Sequence, residues 1–175
     1  VGYAPNDWRT VSTQLKTKGF NEHELLRAGL IISQEHDKVS HPAQGESLQK
    51  YYDRFRGRIM FPLFDHNGKV IAFSGRIFGE APKEVTKYLN SPETPLFSKS
   101  KVLFPFNFAK SAIREREEAV LVEGQFDVIM AHQAGFTNAV ASSGTALTEA
   151  HLALLGRMTE NITFAFDPDD AGLAA

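Results

Sequence analysis

The chain has 175 residues, 42% of them hydrophobic and 23% charged, with 14 Phe and no Cys. That is enough for one sizeable core, or for one domain and an incomplete second. The missing Cys excludes disulfides and cysteinate metal sites and fits a reducing cytosol. No apolar run approaches the ~18 residues of a membrane span, and no charged-then-apolar leader opens the sequence. The six His show neither an HExxH pattern nor close pairing, which argues against zinc. The net charge of −2 conceals a segregation: −1 over residues 1–49, +6 over 50–110 and −7 over 111–175. A basic block joined to an acidic one is the pattern of a polyanion track beside a metal site.

Residues 1–32 read as a small helical pair. Asn21 with Glu24 three positions on makes a capping box, Leu25, Leu26 and Ala28 follow, and Gly29 ends the helix. Trp8, Leu15 and Phe20 are expected to supply the apolar contacts of the preceding helix. The polar stretch Ser33 to Gln49 reads as a surface loop. Two extended runs then flank Asn67-Gly68, the strongest short hairpin signal: Arg58 to Phe64 and Lys69 to Phe78. Pro62 cannot donate to a ladder, which places its strand at an edge or at a bulge. Arg54, Arg56 and Arg58 share one face if that segment is extended, and Arg76 follows a Gly that allows close backbone approach. Arg suits phosphate because its planar fork grips two oxygens.

Lys83 to Lys101, with two Pro and an Asn-Ser-Pro turn, reads as an extended loop. Within it Lys87, Tyr88 and Asn90 offer a phosphate charge, a stacking face and a base- or sugar-reading amide, a mixture suited to single-stranded nucleic acid. Val102 to Phe108 is apolar enough to pack into a core, and residues 109–118 form a charged helix, with a domain boundary near Glu117. From Ala119 the order is β-α-β-α-β. Strands Ala119–Val122, Asn138–Ser142 and Ile162 to Phe166 are expected to be buried on both faces, Gly135 closes the first helix and Thr148 caps the second. Such an order forces parallel strands and right-handed crossovers, so Glu123 and Asp167 fall at the same end of one sheet.

Ligands of open α/β sheets bind at that end. Asp167-Pro168-Asp169, followed by Asp170, supplies carboxylates at i and i+2, and the Pro holds Asp167 extended. Hard cations such as Mg²⁺ take one or two carboxylates with waters and substrate phosphates. Asp127 falls at the start of the first helix, where the dipole favours an anion and where it can brace a bound water or a basic group. Glu123 is either a metal ligand or a general acid/base, and its spacing does not separate the two.

VEGQFD, ASSGTALT and FDPDDAG together resemble the Toprim fold of primases, topoisomerases and some nucleases. The stretch YYDRFRGRIMFPLFDHNGKVIAFSGRIF followed by KYLNSPETPLFSKSKVLF narrows this. With GYAPNDW and GFNEHELLRAGL, it resembles the polymerase core of bacterial-type DNA primases, the DnaG family. The resemblance covers essentially the whole chain and implies an α/β fold: a basic mixed α+β subdomain over 1–116, then a Toprim-type parallel-sheet βαβαβ unit over 117–175. It implies synthesis of short RNA primers on a single-stranded DNA template from ribonucleoside triphosphates with Mg²⁺ or Mn²⁺, in the cytoplasm at a bacterial or phage replication fork. By the same resemblance Glu123, Asp127, Asp167 and Asp169 are the catalytic carboxylates, with Glu123, Asp167 and Asp169 on the metal. Arg76, Lys87, Tyr88, Asn90 and Lys99 line the groove for DNA and nucleotide.

Ser74 stands where that family usually has Gly, and Phe104-Pro105-Phe106 replaces a usual Tyr-Gly-Leu. The family's zinc module, its helicase-binding domain and the third acidic Toprim motif have no counterpart in the sequence, so the Toprim unit is expected to be C-terminally truncated. The expectation for the chain alone is binding of nucleic acid and cation without polymerisation, and helicase contact through a domain not present here. Two other readings are a DNA-cutting Toprim nuclease or topoisomerase and a non-catalytic nucleic-acid-binding module. A topoisomerase needs a nucleophilic Tyr, and the four Tyr fall within residues 1–88 in no such setting.

Overall fold

The computed structural model describes residues 1–34, 51–80, 85–142 and 146–166. The chain divides into two compact units, Val1–Pro62 with Ala72–Pro95, and Leu63–Ile71 with Leu96–Ala175.

In chain order the first elements are β1 (Gly2–Ala4), α1 (Thr10–Thr17), α2 (Glu22–Arg27), β2 (Ile31–Ser33) and β3 (Tyr51–Asp53). The capping box forms as the sequence requires: Asn21 Oδ1 accepts from Glu24 N at 3.0 Å, and Glu24 Oε2 accepts from Asn21 N at 2.8 Å. The helical pair is nevertheless framed by strands that the sequence reading did not contain. β2 pairs antiparallel with β3, joining Ile31 to Asp53. The Asp53 carboxylate, 1% exposed, accepts from Val11 N at 2.7 Å and Ser12 N at 2.9 Å, so a distant residue satisfies the first turn of α1. Trp8 and Phe20 are exposed rather than core groups. Trp8 instead packs edge-on against Tyr52, and the Arg56 guanidinium lies 4.2 Å from its ring centroid.

β4 (Arg58–Phe64) and β5 (Val70–Ile77) form the expected hairpin. Its tip is a turn from Asp65 to Gly68: Gly68 N donates to Asp65 O, Asp65 N to Lys69 O, and Gly68 has φ +83°. The Asp65 carboxylate accepts from Asn67 N and Lys69 N, which holds it below the usual carboxylate range. β6 (Tyr88–Asn90) completes a sheet of order β1-β4-β5-β6. The stretch from Lys83 to Lys101 is therefore no plain loop, since it also holds a 3₁₀ turn at Lys99–Lys101. β1 pairs only with Arg58 to Met60, so Pro62 lies past the end of that ladder and interrupts nothing there.

The second unit contains α3 (Phe106–Arg116), β7 (Ala119–Val122), α4 (Gln125–Gln133), β8 (Ala139–Ala141), α5 (Glu149–Leu155) and β9 (Ile162–Phe164). The three strands are parallel in the order β8-β7-β9. Leu103, Phe106, Ala109, Ile113, Ala119, Leu121, Val140 and Leu155 make one buried cluster on the sheet face covered by α3 and α5. β7 and β8 are buried, as their unbroken apolar runs require. β9 is different: Thr163 and Phe164 are exposed, so this edge strand is not buried on both faces among the described residues. Beside it a cavity of about 380 Å³ is lined by Val120, Val122, Phe136, Thr163 and Ala165.

Candidate nucleic-acid and metal site

The register of the parallel sheet decides where its acidic groups emerge. Leu121 pairs with Phe164 and with Val140, and Ala165 N donates to Leu121 O at 2.9 Å. The carboxyl ends of β7 and β9 therefore lie on the same edge. Glu123 follows β7 directly and is exposed. Asp127 occupies the first turn of α4, where its Oδ2 accepts from Gly124 N at 2.9 Å. That bond fastens the turn carrying Glu123 and leaves Asp127 Oδ1 without any role in it. Asp167, Asp169 and Asp170 lie outside the described residues, as do Ser143 to Thr145. Among the described residues no three metal-ligating side chains cluster.

The opposite edge of the sheet is closed by hydrogen bonds. Asn138, 1% exposed, donates to Glu118 O at 2.9 Å and accepts from Arg116 at 3.2 Å. Thr159 and Asn161 both donate to Glu117 O, and Glu117 takes a left-handed φ of 52° to end α3. The buried polar groups at this edge serve the fold, and Glu123 and Asp127 emerge at the other.

In the first unit, β5 and β6 place the predicted binding groups in register. Arg76 pairs with Tyr88 and Ser74 with Asn90, so all four side chains share one face of the sheet. The Arg76 guanidinium carbon is 5.9 Å from the Tyr88 ring centroid. Lys87 is exposed, and its carbonyl accepts from Ile77 N and from Arg58. Arg58 is 5% exposed and donates to Gly75 O at 3.1 Å, Lys87 O at 3.3 Å and Thr86 O at 3.0 Å. It is a clamp that fixes the Thr86–Lys87 approach to β6, not a phosphate group as its spacing from Arg54 and Arg56 implied. Residues 54–57 are not extended, so the three Arg never share a face. Arg56 instead rests on Trp8 and Tyr52 and bonds the Asp53 carbonyl.

Lys99 belongs to the second unit, in the 3₁₀ turn. His151, fully buried, holds that turn: its Nε2 is 3.1 Å from Lys99 O, and its Nδ1 accepts from Thr148 N at 3.3 Å. Thr148 Oγ1 donates to Ser100 O at 2.6 Å. A backbone N–H facing Nδ1 requires the proton on Nε2, which makes Lys99 O the acceptor. Burial holds the imidazole below its ordinary pKa. The clamping role of Arg58, which the sequence offered only as a phosphate group, and the role of His151 were not found from the sequence. The only trace of His151 is its place three residues after a capping Thr, where Glu or Gln is usual.

Residues 1–110 match the family described as DNA primase catalytic core, N-terminal domain, and residues 117–175 match the Toprim domain. The DNA primase of Deinococcus radiodurans is 44% identical over 176 residues, covering 100% of this chain and 28% of that protein. That of Listeria monocytogenes is 43% identical over 175 residues, covering 100% and 26%. Among solved structures, the RNA polymerase domain of Mycobacterium tuberculosis primase DnaG superposes with a TM-score of 0.84 at 37% identity, over 99% of this chain and 54% of that one. A DnaG primase catalytic domain bound to ssDNA does so with a TM-score of 0.79 at 38% identity, over 99% and 50%. The chain thus spans about a quarter of the curated relatives' length. With its antiparallel sheet followed by a parallel, Toprim-type α/β sheet, it belongs to the DnaG-type DNA primase family.

Proposed function

We propose that this chain is the part of a DNA primase that guides a single-stranded DNA template past a metal-dependent nucleotidyl-transfer site, where short RNA primers are made during replication. The observation that carries the reading is the common edge of β7 and β9, which brings Glu123 to the end of the sheet at which Ala165 and Phe166 leave β9, next in sequence to the Asp-Pro-Asp motif. Family membership and the relative bound to ssDNA support it. In this reading residues 1–116 form the basic subdomain and 117–175 the Toprim domain. The partners are the DNA template, ribonucleoside triphosphates and, through another part of the protein, a replicative helicase, all in the cytoplasm. Among the described residues no helix is long and apolar enough to cross a membrane.

The donor set suits a hard cation, since every group offered is a carboxylate oxygen. Glu123, Asp167 and Asp169 would hold Mg²⁺ or Mn²⁺, which when bound would neutralise charge on the phosphoryl group being transferred. Asp127 fixes the turn that aims Glu123. Arg76 and Lys87 neutralise phosphates, Tyr88 offers a ring to a base, Asn90 an amide, and Lys99 a further cation from its pinned turn. In the full-length protein Asp167→Ala or Asp169→Ala abolishes primer synthesis while leaving the melting temperature nearly unchanged, and retained synthesis would refute the assignment. Arg76→Gln or Lys87→Gln lowers the slope of log affinity against log salt by about 0.7 per lost contact on a single strand. An unchanged slope removes that residue from the groove.

A further inference from the structure

The face of the β1-β4-β5-β6 sheet that carries Arg76 and Tyr88 does not end with them. Gly75, one position before Arg76, points the other way: a Cβ there would meet Arg58 Cδ and Phe55 Cδ1 at 3.0 Å and Met60 Sδ at 3.1 Å. Arg58 and Met60 therefore share the face of Gly75, and Ile59 between them points to the face of Arg76. Tyr3 pairs directly with Ile59, so it shares that face too. Phe78, two residues past Arg76, continues the ladder through its N–H to Gly57 O and meets Tyr3 with ring centroids 5.8 Å apart. Tyr3 is 55% and Phe78 64% exposed. Two large rings left that open beside a cation and a third ring need an occupant.

We propose that Tyr3 and Phe78 form a base-stacking platform for single-stranded nucleic acid, about 7 Å along β5 from Arg76 at ~3.3 Å per residue. This rests on the nucleic-acid reading of Arg76 and Tyr88 above and extends that track toward β1. The occupant follows from the chemistry. The patch sets one cation, Arg76, among three rings, and unpaired bases carry both a π face and an adjacent phosphate. Duplex bases keep their faces stacked on one another and would not engage the rings.

The test uses the full-length protein and two fluorescent probes of equal length, an oligo-dT strand and an abasic strand with the same phosphates. Tyr3→Leu and Phe78→Leu keep apolar bulk and remove the rings. Each weakens oligo-dT binding roughly 5- to 150-fold, the range of one lost stacking contact, with the abasic affinity and the salt slope unchanged. Tyr3→Trp and Phe78→Trp, which keep a ring, restore oligo-dT binding, and this separates stacking from a folding defect. If the unaltered protein binds oligo-dT through Arg76 and Lys87 but the Leu variants bind it equally well, the platform is overturned and the reading it rests on stands. If the Leu variants lose affinity for both probes alike, base stacking is equally overturned. If the unaltered protein binds neither probe, both inferences fall together.

Discussion

Replacing Arg58 with Met removes the clamp while nearly preserving side-chain volume. The guanidinium donates to three carbonyls, and bonds to a charged group contribute about 1.5–3 kcal/mol each. Against them stands the desolvation of a buried cation, several kcal/mol, which Met relieves. Two of the freed carbonyls are not stranded. Lys87 O keeps its bond from Ile77 N, and Thr86 is exposed, so water can replace its partner. Gly75 O lies opposite Leu89 in the hydrogen-bonded register of β5 and β6, so it too keeps a backbone donor, and what the substitution costs is the three charge-assisted bonds themselves. The net loss is about 2–3 kcal/mol, or roughly 4–12 °C in melting temperature for a chain of this size. Urea denaturation of Arg58→Met, read at constant slope, measures it. A variant within about 0.5 kcal/mol of the unaltered protein would show that these bonds do not fasten the approach to β6.

Gly75→Ala forces a methyl group to within 3.0 Å of Arg58 Cδ, which its hydrogen bonds hold in place. It destabilises by about 1–3 kcal/mol in the same denaturation assay, and a neutral result would contradict the close packing. His151 gives a pH signature. Its folded pKa lies below the unfolded value of about 6.5, so its contribution is complete above that pH. As the pH falls from there toward the folded pKa, the unfolded chain takes up a proton that the native one refuses, and stability declines. Melting temperatures measured between pH 7.5 and 5 show this decline in the unaltered protein. His151→Gln lacks that component, and parallel curves would assign it to other groups.

The parts of the fold that were legible from sequence share a physical cause. The β4–β5 hairpin announces itself because Asn67-Gly68 fixes its turn, and Asn21 and Thr148 cap their helices because an oxygen placed before an apolar run has few other uses. β1, β2, β3 and β6 have three residues each, too few for alternation to register, and they exist through partners outside any local window, from Arg76 for Tyr88 to Met60 for Gly2. The Arg54, Arg56 and Arg58 spacing misled for a related reason. Shared faces presuppose an extended backbone, and Gly57, with φ +59°, breaks it. Of the candidate site, the edge on which Glu123 emerges follows from the β-α-β order alone. The clamp of Arg58 and the His151–Lys99 bond depend on tertiary contacts that no local pattern encodes.

The central claim is that one cation site forms at the carboxyl edge of β7 and β9. Titration with paramagnetic Mn²⁺, followed through amide resonances, reads it directly. The account predicts early broadening at Glu123, Gly124 and Asp127 and at Ala165 and Phe166. Asn138, Thr159 and Asn161 on the opposite edge stay sharp, and Asp167→Ala suppresses the effect. Broadening centred on Asn138 and Asn161, or broadening at Glu123 that survives the loss of both Asp167 and Asp169, would contradict it.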